Sequence, residues 1–216
     1  HRDLHSFPTR RSSDLWDPAD ALDLIETEAV TYMVGPPTFF LALMDDPAFS
    51  SQRTKSLRML SCGGAGVTPA FVERARNELG AVVKRSYGST EAPTVATSRF
   101  DDPPEQMSGT DGRSFDETQI RVDGHGEVWV RGPEVARGYL EPTQGDGVFV
   151  DGWFRTGDLG RLDGKWLTIT GRSDDRIIRA GENISAREVE IHLEAHQSID
   201  QAVVVKIGRA SCRERV

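Results

Sequence analysis

Hydrophobic positions in the first half of the chain alternate between strand spacing and helix spacing. Short apolar, β-branched runs that are typical of buried strands occur at residues 31–34, 57–60 and 81–88. Helical patterns occur before and between them, at residues 17–29, 39–44 and 68–79. Two of these patterns begin with Asp-Pro or Thr-Pro, a capping side chain followed by proline at the first helical position. Strands that alternate with helices predict a parallel, doubly wound sheet over residues 16–110.

The pattern changes after about residue 110. Residues 118–132 and 157–171 alternate polar and apolar positions around glycine turns, and Asp163-Gly164 is a tight hairpin signal. This spacing predicts an antiparallel, barrel-like part over residues 111–170. From Arg172 the chain becomes charged, and an S-x-x-E capping box at 185–188 opens a last helix.

The two ends of the chain differ from the part between them. Residues 1–15 (HRDLHSFPTRRSSDL) are identical to the translation of a common short-read sequencing adapter, and residues 207–216 (IGRASCRERV) resemble its opposite strand. We therefore expect residues 1–15 and 206–216 to be adapter-derived, and exclude them from the fold. An Arg- and Ser-rich opening is also compatible with a transit peptide. On the adapter interpretation, residues 16–205 are an internal piece of a longer reading frame.

Composition and charge exclude several classes of protein. The chain has 216 residues, of which 37% are hydrophobic, and this is enough to bury a core. Its net charge of −8 argues against nucleic acid as a partner, since binding without sequence preference needs a basic face. No apolar run reaches the roughly 18 residues of a membrane span. Two cysteines, Cys62 and Cys212, form neither a disulfide framework nor a metal-ligand pattern. We expect a cytoplasmic protein.

Three motifs follow predicted strands. The glycines of GGAG (63–66) would let a flat ligand approach the backbone, although for this motif alone an ordinary strand-to-helix turn is the favoured interpretation. YGSTE (87–91) combines a ring that can stack on a base, a hydroxyl for a phosphate oxygen and a carboxylate for Mg²⁺; the alternative is a polar surface turn. WFRTGDLG (153–160) places a carboxylate, Asp158, after a glycine turn. There the carboxylate could accept hydrogen bonds from both ribose hydroxyls. The alternative is that Asp158 only forms the turn.

Together with GEVWVRGPEVARGYL and GRSDDRIIRAGENISAREVE, these motifs resemble the adenylate-forming superfamily of acyl-CoA synthetases. The resemblance covers residues 16–205. It implies an α/β fold with an antiparallel barrel-like subdomain. Residues 16–170 would be the C-terminal part of the large AMP-binding domain, and residues 171–205 the start of a small α+β domain. The implied reaction has two steps: a carboxylate and ATP give an acyl-adenylate and pyrophosphate, and a thiol, usually coenzyme A, then displaces AMP.

The resemblance also implies a role for each site residue. The adenine and acyl pockets would be lined by Gly63, Gly64 and Ala65, with Tyr87 stacked on adenine beside Gly88. The α-phosphate would be bound by Thr90, Mg²⁺ by Glu91, and the ribose by Asp158 and Arg172. The small domain would rotate about Asp174, and its loop at Gly181 would line the pantetheine tunnel. The phosphate-binding loop is expected before residue 16 and the catalytic lysine after residue 205.

The substrate expectation rests on GPPTFF (35–40), whose aromatic residues would border the acyl pocket. This segment lacks the Asp that a peptide-synthetase adenylation domain would use to hold an α-amino group. We therefore predict an ATP-dependent carboxylate–CoA ligase that acts on a fatty, alicyclic or aromatic acid. This prediction includes a role in fatty acid metabolism. The alternatives are a peptide-synthetase-type adenylation domain that loads a carrier protein, and a nucleotide-binding fragment without catalysis.

Two further features have simple explanations. His192 and His196 are an i, i+4 pair that could bind a metal, but a helix-surface pair is the favoured interpretation because no Glu follows the first histidine as in HExxH. Cys62 could be a reactive thiol, but packing of a small residue beside glycines is favoured, because no His is near it in sequence.

The adapter interpretation makes a prediction about stability. Deleting residues 1–15 and 206–216 should leave the melting temperature unchanged within error, because termini outside a core contribute little. Differential scanning calorimetry of the trimmed and untrimmed chains would measure this. A drop of several degrees would contradict the interpretation.

Overall fold

The computed structural model describes residues 16–64, 66–115, 117–141, 145–175, 177–179, 182–194, 196, 198–199 and 202–205. Its first half consists of α1 (Pro18–Thr27), β1 (Tyr32–Gly35), α2 (Pro37–Asp45), β2 (Met59–Cys62), α3 (Pro69–Leu79) and β3 (Val82–Tyr87). The three strands are parallel and lie in the order β1-β2-β3. This confirms the predicted alternation of strands and helices.

The helix ends follow the local sequence. The Asp17 carboxylate accepts the N–H of Asp20 at 3.0 Å and caps α1. The Thr68 hydroxyl accepts the N–H of Phe71 at 3.2 Å and caps α3. At the other end of α3, Gly80 adopts φ +66, a left-handed conformation that favours glycine.

Two short strands extend this sheet beyond β3. They are β4 (Ala96–Thr97) and β5 (Arg113–Ser114), both antiparallel to their neighbours, with α4 (Pro104–Gly109) between them. The β3 edge of the parallel sheet is therefore covered by the chain that leads into the second half.

The second half is an antiparallel sheet, as the alternating pattern predicts. It contains β6 (Gln119–Val122), β7 (Glu127–Arg131), β8 (Phe149–Val150), β9 (Trp153–Asp163) and β10 (Trp166–Arg172). The order is β10-β9-β7-β6, and β8 pairs with β9. Strands β9 and β10 form the predicted hairpin, in which Asp163 pairs with Trp166 and Gly164 has φ +58.

The last elements are small. Strands β11 (Ile177–Arg179) and β12 (Glu182–Ile184) pair with each other, and α5 (Ala186–Glu194) follows them. The hydroxyl of Ser185, just before α5, donates a 2.6 Å hydrogen bond to the Thr170 carbonyl and ties this unit to β10. Among the helices in the described ranges, none has the length and apolarity that crossing a membrane requires.

Each half has its own hydrophobic core. Phe40, Leu22 and Leu60 are fully buried between the first three helices and the parallel sheet. Val130 and Leu167 are fully buried in the antiparallel half. This second core also includes one residue of β4 and two of the loop before it, so both apolar packing and polar contacts near β3 and β10 join the two halves.

A buried ion pair contributes to the connection between the two halves. Arg85 of β3 donates to Asp111 at 2.8 Å, with only 7% and 12% of the two side chains exposed. The second Asp111 carboxylate oxygen accepts the N–H of Ile169 in β10 at 2.8 Å, and the Asp111 N–H donates to the Leu167 carbonyl at 2.8 Å. The other end of the guanidinium donates to the Ser108 carbonyl at 2.7 Å.

Asp111→Ala should lower the free energy of unfolding by about 3–5 kcal/mol, because it leaves a buried guanidinium without its counter-charge. Chemical denaturation followed by circular dichroism would measure the loss. The matched control is Asp101→Ala, which removes an 80% exposed carboxylate from Arg113. Its effect should stay within about 0.5 kcal/mol. Equal losses in the two variants would show that the Arg85–Asp111 pair does not join the sheets.

Candidate functional site

A cavity of about 660 Å³ opens where the carboxyl end of β3 faces β9 and β10. Five of the residues predicted to bind nucleotide line it: Gly64, Tyr87, Gly88, Asp158 and Arg172. Ligands of open α/β sheets bind at this end of the strands. A second cavity of about 390 Å³ lies between α3 and α4, and its lining contains none of the predicted residues.

Asp158 is the centre of a hydrogen-bonded set in this cavity. The Tyr87 hydroxyl donates to one carboxylate oxygen at 2.6 Å, and the Arg172 guanidinium donates to the other at 3.0 Å. The main-chain N–H of Asp158 donates to the Thr156 hydroxyl at 3.0 Å. The preceding Gly157 has φ +74, and a Cβ there would lie 3.1 Å from the Arg172 guanidinium. The left-handed conformation favours glycine, and a Cβ would in addition crowd the flexible Arg172 side chain.

Burial shifts the pKa values of the two titratable side chains at the centre of this set. Desolvation raises the pKa of Asp158 above its usual value, although the Tyr87 hydrogen bond and the Arg172 charge oppose this change. Burial and the neighbouring Asp158 charge also raise the pKa of Tyr87. The Tyr87 hydroxyl is therefore protonated at neutral pH and acts as a donor to Asp158.

The YGSTE segment is a tight loop. A Cβ at Gly88 would lie 2.3 Å from the Pro93 carbonyl oxygen, so the loop closes only with glycine at this position. The Ser89 N–H donates to the Ala92 carbonyl at 2.9 Å and closes the turn. Thr90 is exposed at the tip of the loop.

Glu91 is held by the segment that follows β7. Its carboxylate accepts a 2.7 Å hydrogen bond from the Tyr139 hydroxyl. This bond is the main cause that lowers the pKa of Glu91, and the Arg172 charge lowers it further. Glu91 is therefore ionised at neutral pH. Thr90 and Glu91 lie in the same loop as Tyr87 and Gly88, but neither is among the residues that line the 660 Å³ cavity.

The glycine motif after β2 also makes a close approach. A Cβ at Gly63 would lie 2.3 Å from the Ser86 carbonyl oxygen of β3, so this glycine has a structural reason of its own. Gly64 has φ +76 and is exposed to the cavity. Ala65 lies outside the described residues. Cys62 is fully buried, and burial raises its pKa to about 12, which supports its interpretation as a packing residue.

The predicted hinge residue lies two positions after the end of β10. Asp174 is in an exposed turn between β10 and β11. The preceding Ser173 N–H donates to the Gly157 carbonyl at 2.8 Å. Gly181 lies outside the described residues. His192 is on the exposed part of α5, and the described part of the chain contains no cluster of three or more potential metal-ligating side chains.

The two aromatic residues of GPPTFF do not line the 660 Å³ cavity. Phe40 is fully buried in the first hydrophobic core. Phe39 is partly exposed and stacked on Trp16, with ring centroids 4.5 Å apart and planes within 3°. That this segment borders an acyl pocket stays a prediction.

Sequence reasoning missed several site residues. Arg85 and Asp111 line the cavity, the Thr156 hydroxyl accepts the main-chain N–H of Asp158, and Tyr139 donates to the Glu91 carboxylate. The available signal for Arg85 was a charge at a buried position of a strand pattern. The signal for Tyr139 was its place in the RGPEVARGYL motif.

Comparisons with known proteins agree with this geometry. The family described as AMP-binding enzyme matches residues 7–140, which is more than half of the chain. The chain is 34% identical over 197 residues to the 3-[(3aS,4S,7aS)-7a-methyl-1,5-dioxo-octahydro-1H-inden-4-yl]propanoyl:CoA ligase of Rhodococcus jostii (strain RHA1). This similarity covers 89% of the chain and 38% of that ligase.

Solved structures with the same fold include two enzymes. The amide bond synthetase McbA from Marinactinospora thermotolerans is 32% identical with a TM-score of 0.80, over 90% of this chain and 43% of that one. The ATP-bound MatB from Rhodopseudomonas palustris is 28% identical with a TM-score of 0.80, over 90% of this chain and 41% of that one. The chain thus spans well under half the length of these relatives.

The raised pKa of Asp158 predicts how stability depends on pH. A carboxyl group whose pKa is higher in the folded state favours folding at low pH, and this contribution is lost as the pH rises through that pKa. Asp158→Asn should therefore gain stability relative to wild type between pH 3 and pH 7. Urea denaturation of both proteins across this range measures the difference. A constant difference would contradict the burial effect.

Proposed function

This chain belongs to the family of AMP-binding enzymes, and on that premise we propose that it forms the nucleotide-binding part of an ATP-dependent carboxylate–CoA ligase. The observation that carries the proposal is the set of Tyr87, Asp158 and Arg172 at the cavity, where one strand of the first sheet meets two strands of the second. The proposed reaction joins a carboxylate to the α-phosphate of ATP, releases pyrophosphate, and then transfers the acyl group from the adenylate to coenzyme A.

Asp158 is suited to bind a ribose. A carboxylate has about four lone-pair sites. Tyr87 and Arg172 each occupy one site, on different oxygens. The remaining sites can accept the two ribose hydroxyls, while the two protein donors keep the carboxylate in one orientation. The Tyr87 ring would stack on adenine, and Gly64 and Gly88 would leave room beside the base.

The polyphosphate would lie towards Thr90 and Glu91. The exposed Thr90 hydroxyl can donate to an α-phosphate oxygen. The ionised Glu91 carboxylate fits Mg²⁺, which is usually held by one or two carboxylates together with water and substrate phosphates. When bound, Mg²⁺ would neutralise charge on the phosphates. The protein's own contribution is positioning: it fixes the ribose and α-phosphate so that the acid meets phosphorus along the line of the leaving pyrophosphate.

We propose a thiol acceptor and an apolar acid. The Rhodococcus relative is named as a CoA ligase for an alicyclic propanoyl group, which supports both assignments. McbA is named as an amide bond synthetase, so the acceptor differs within this fold. A peptide-synthetase-type adenylation domain is the alternative, and it would transfer the acyl group to a carrier protein. A nucleotide-binding fragment without catalysis would bind AMP but form no acyl-adenylate.

Asp158→Ala should weaken nucleotide binding. Losing a charge-assisted acceptor costs roughly 1.5–3 kcal/mol, which is about 10- to 100-fold in affinity. Isothermal titration of the chain with AMP measures binding, and pyrophosphate release with a panel of acids measures adenylation separately. The exposed Asp101→Ala is the matched control. Unchanged AMP affinity in Asp158→Ala would reduce Asp158 to a turn residue and overturn the assignment.

Asp174→Pro should separate the two half-reactions in a full-length ligase that contains this chain. Proline fixes φ near about −65° in the turn between β10 and β11, where few residues would absorb a domain rotation. Adenylate formation should persist, and thioester formation should fall by orders of magnitude. Asp174→Ala keeps the backbone freedom and should retain both steps. Equal slowing of both steps in Asp174→Pro would show that Asp174 is an ordinary linker residue.

A further inference from the structure

We propose that Tyr139 is a positioning residue for Glu91, whose carboxylate it holds in the orientation that receives a divalent cation bound to ATP. The inference rests on the proposed nucleotide site. It adds a residue from the RGPEVARGYL motif, which so far has no role in the reaction.

The geometry shows that one segment binds Glu91 at two places. The Tyr139 hydroxyl donates to the Glu91 carboxylate at 2.7 Å. Three residues earlier, the Ala136 N–H donates to the Glu91 main-chain carbonyl at 2.7 Å. Both ends of Glu91 are therefore fixed by the same short stretch of chain after β7, although Tyr139 and Glu91 are 48 residues apart.

Tyr139 is itself held in place. Its ring meets the edge of Phe149, with centroids 5.5 Å apart and an interplanar angle of 71°. Phe149 in turn stacks on Phe154 at 5.3 Å, and Phe154 is buried in the second core. The hydroxyl is thus connected through aromatic packing to the antiparallel sheet. A rigid donor of this kind can orient a side chain that would otherwise rotate about three bonds.

The chemistry of a cation site makes this orientation useful. Partners that hydrogen-bond to a metal-ligating side chain orient it, and their loss typically weakens metal binding by about 10- to 100-fold. The Ser89 side chain and the Glu91 main chain also hydrogen-bond to this carboxylate, and Tyr139 has the largest of these effects on its pKa. Without the Tyr139 hydroxyl, more of the ordering of the Glu91 side chain would fall to the cation, at a cost in side-chain entropy.

The test compares ATP affinity with and without Mg²⁺ in the 216-residue chain, by isothermal titration, for wild type, Tyr139→Phe, Glu91→Gln and the double variant. Tyr32→Phe, on the exposed face of β1, is the matched control. Tyr139→Phe keeps the ring and its packing on Phe149. Unfolding curves for each variant verify that the aromatic contacts survive.

We expect Tyr139→Phe to weaken ATP binding about tenfold with Mg²⁺ and to leave binding in EDTA unchanged. The double variant should be no weaker than Glu91→Gln, because the hydroxyl acts only through the carboxylate. Additive losses, or an equal loss in EDTA, would overturn the positioning role while leaving the nucleotide site intact. Absence of ATP binding by wild type under both conditions would overturn the proposed function and this inference together.

Discussion

The buried ion pair between Arg85 and Asp111 is a polar contact that links β3 to β10. Apolar packing also joins the two halves, since the second core includes Ala92, Val95 and Ala96 from the first. A buried charge pair adds an orientation to this packing, because removing either ion from water is costly unless its hydrogen-bonding groups are satisfied. Asp111 meets this requirement by also binding the main chain of β10 through its second carboxylate oxygen and its N–H.

The same strand organises the candidate site. Arg85 and Tyr87 are two residues apart on β3, and side chains at that spacing lie on one face of a strand. Arg85 meets Asp111 in the segment before β5, and Tyr87 meets Asp158 of β9. The ion pair and the candidate ribose site thus use neighbouring side chains on the same face of β3. A displacement of β3 relative to the antiparallel sheet would disturb both.

The order of helices and strands could be predicted from the sequence because local signals define it. Capping side chains, prolines and Gly80 act within one turn of the residues that they terminate, and they predicted α1 and α3 closely. Strand boundaries depend on partners. The predicted strand at 57–60 is β2 at Met59–Cys62, because the N–H of Leu57 is used in a turn with Thr54 and pairing with β1 begins only at Met59.

The residues of the candidate site also divide into those that local motifs could predict and those that they could not. Tyr87, Asp158 and Arg172 stand in distinctive motifs, and the structure brings these three together. Arg85 and Asp111 stand in no motif, and 26 residues separate them. Local patterns carry no information about such a pairing. Phe40 of GPPTFF packs in a core, and composition alone does not distinguish such an aromatic residue from one that lines a pocket.

The distance in sequence between Tyr87 and Asp158 also has a kinetic consequence. These residues are 71 positions apart and belong to different sheets, so their hydrogen bond forms only after a large loop has closed. The cavity is therefore completed late, when both sheets already exist. A nucleotide that binds there recognises only the finished structure and is released before the sheets separate. Its presence would slow unfolding and leave the rate of folding almost unchanged.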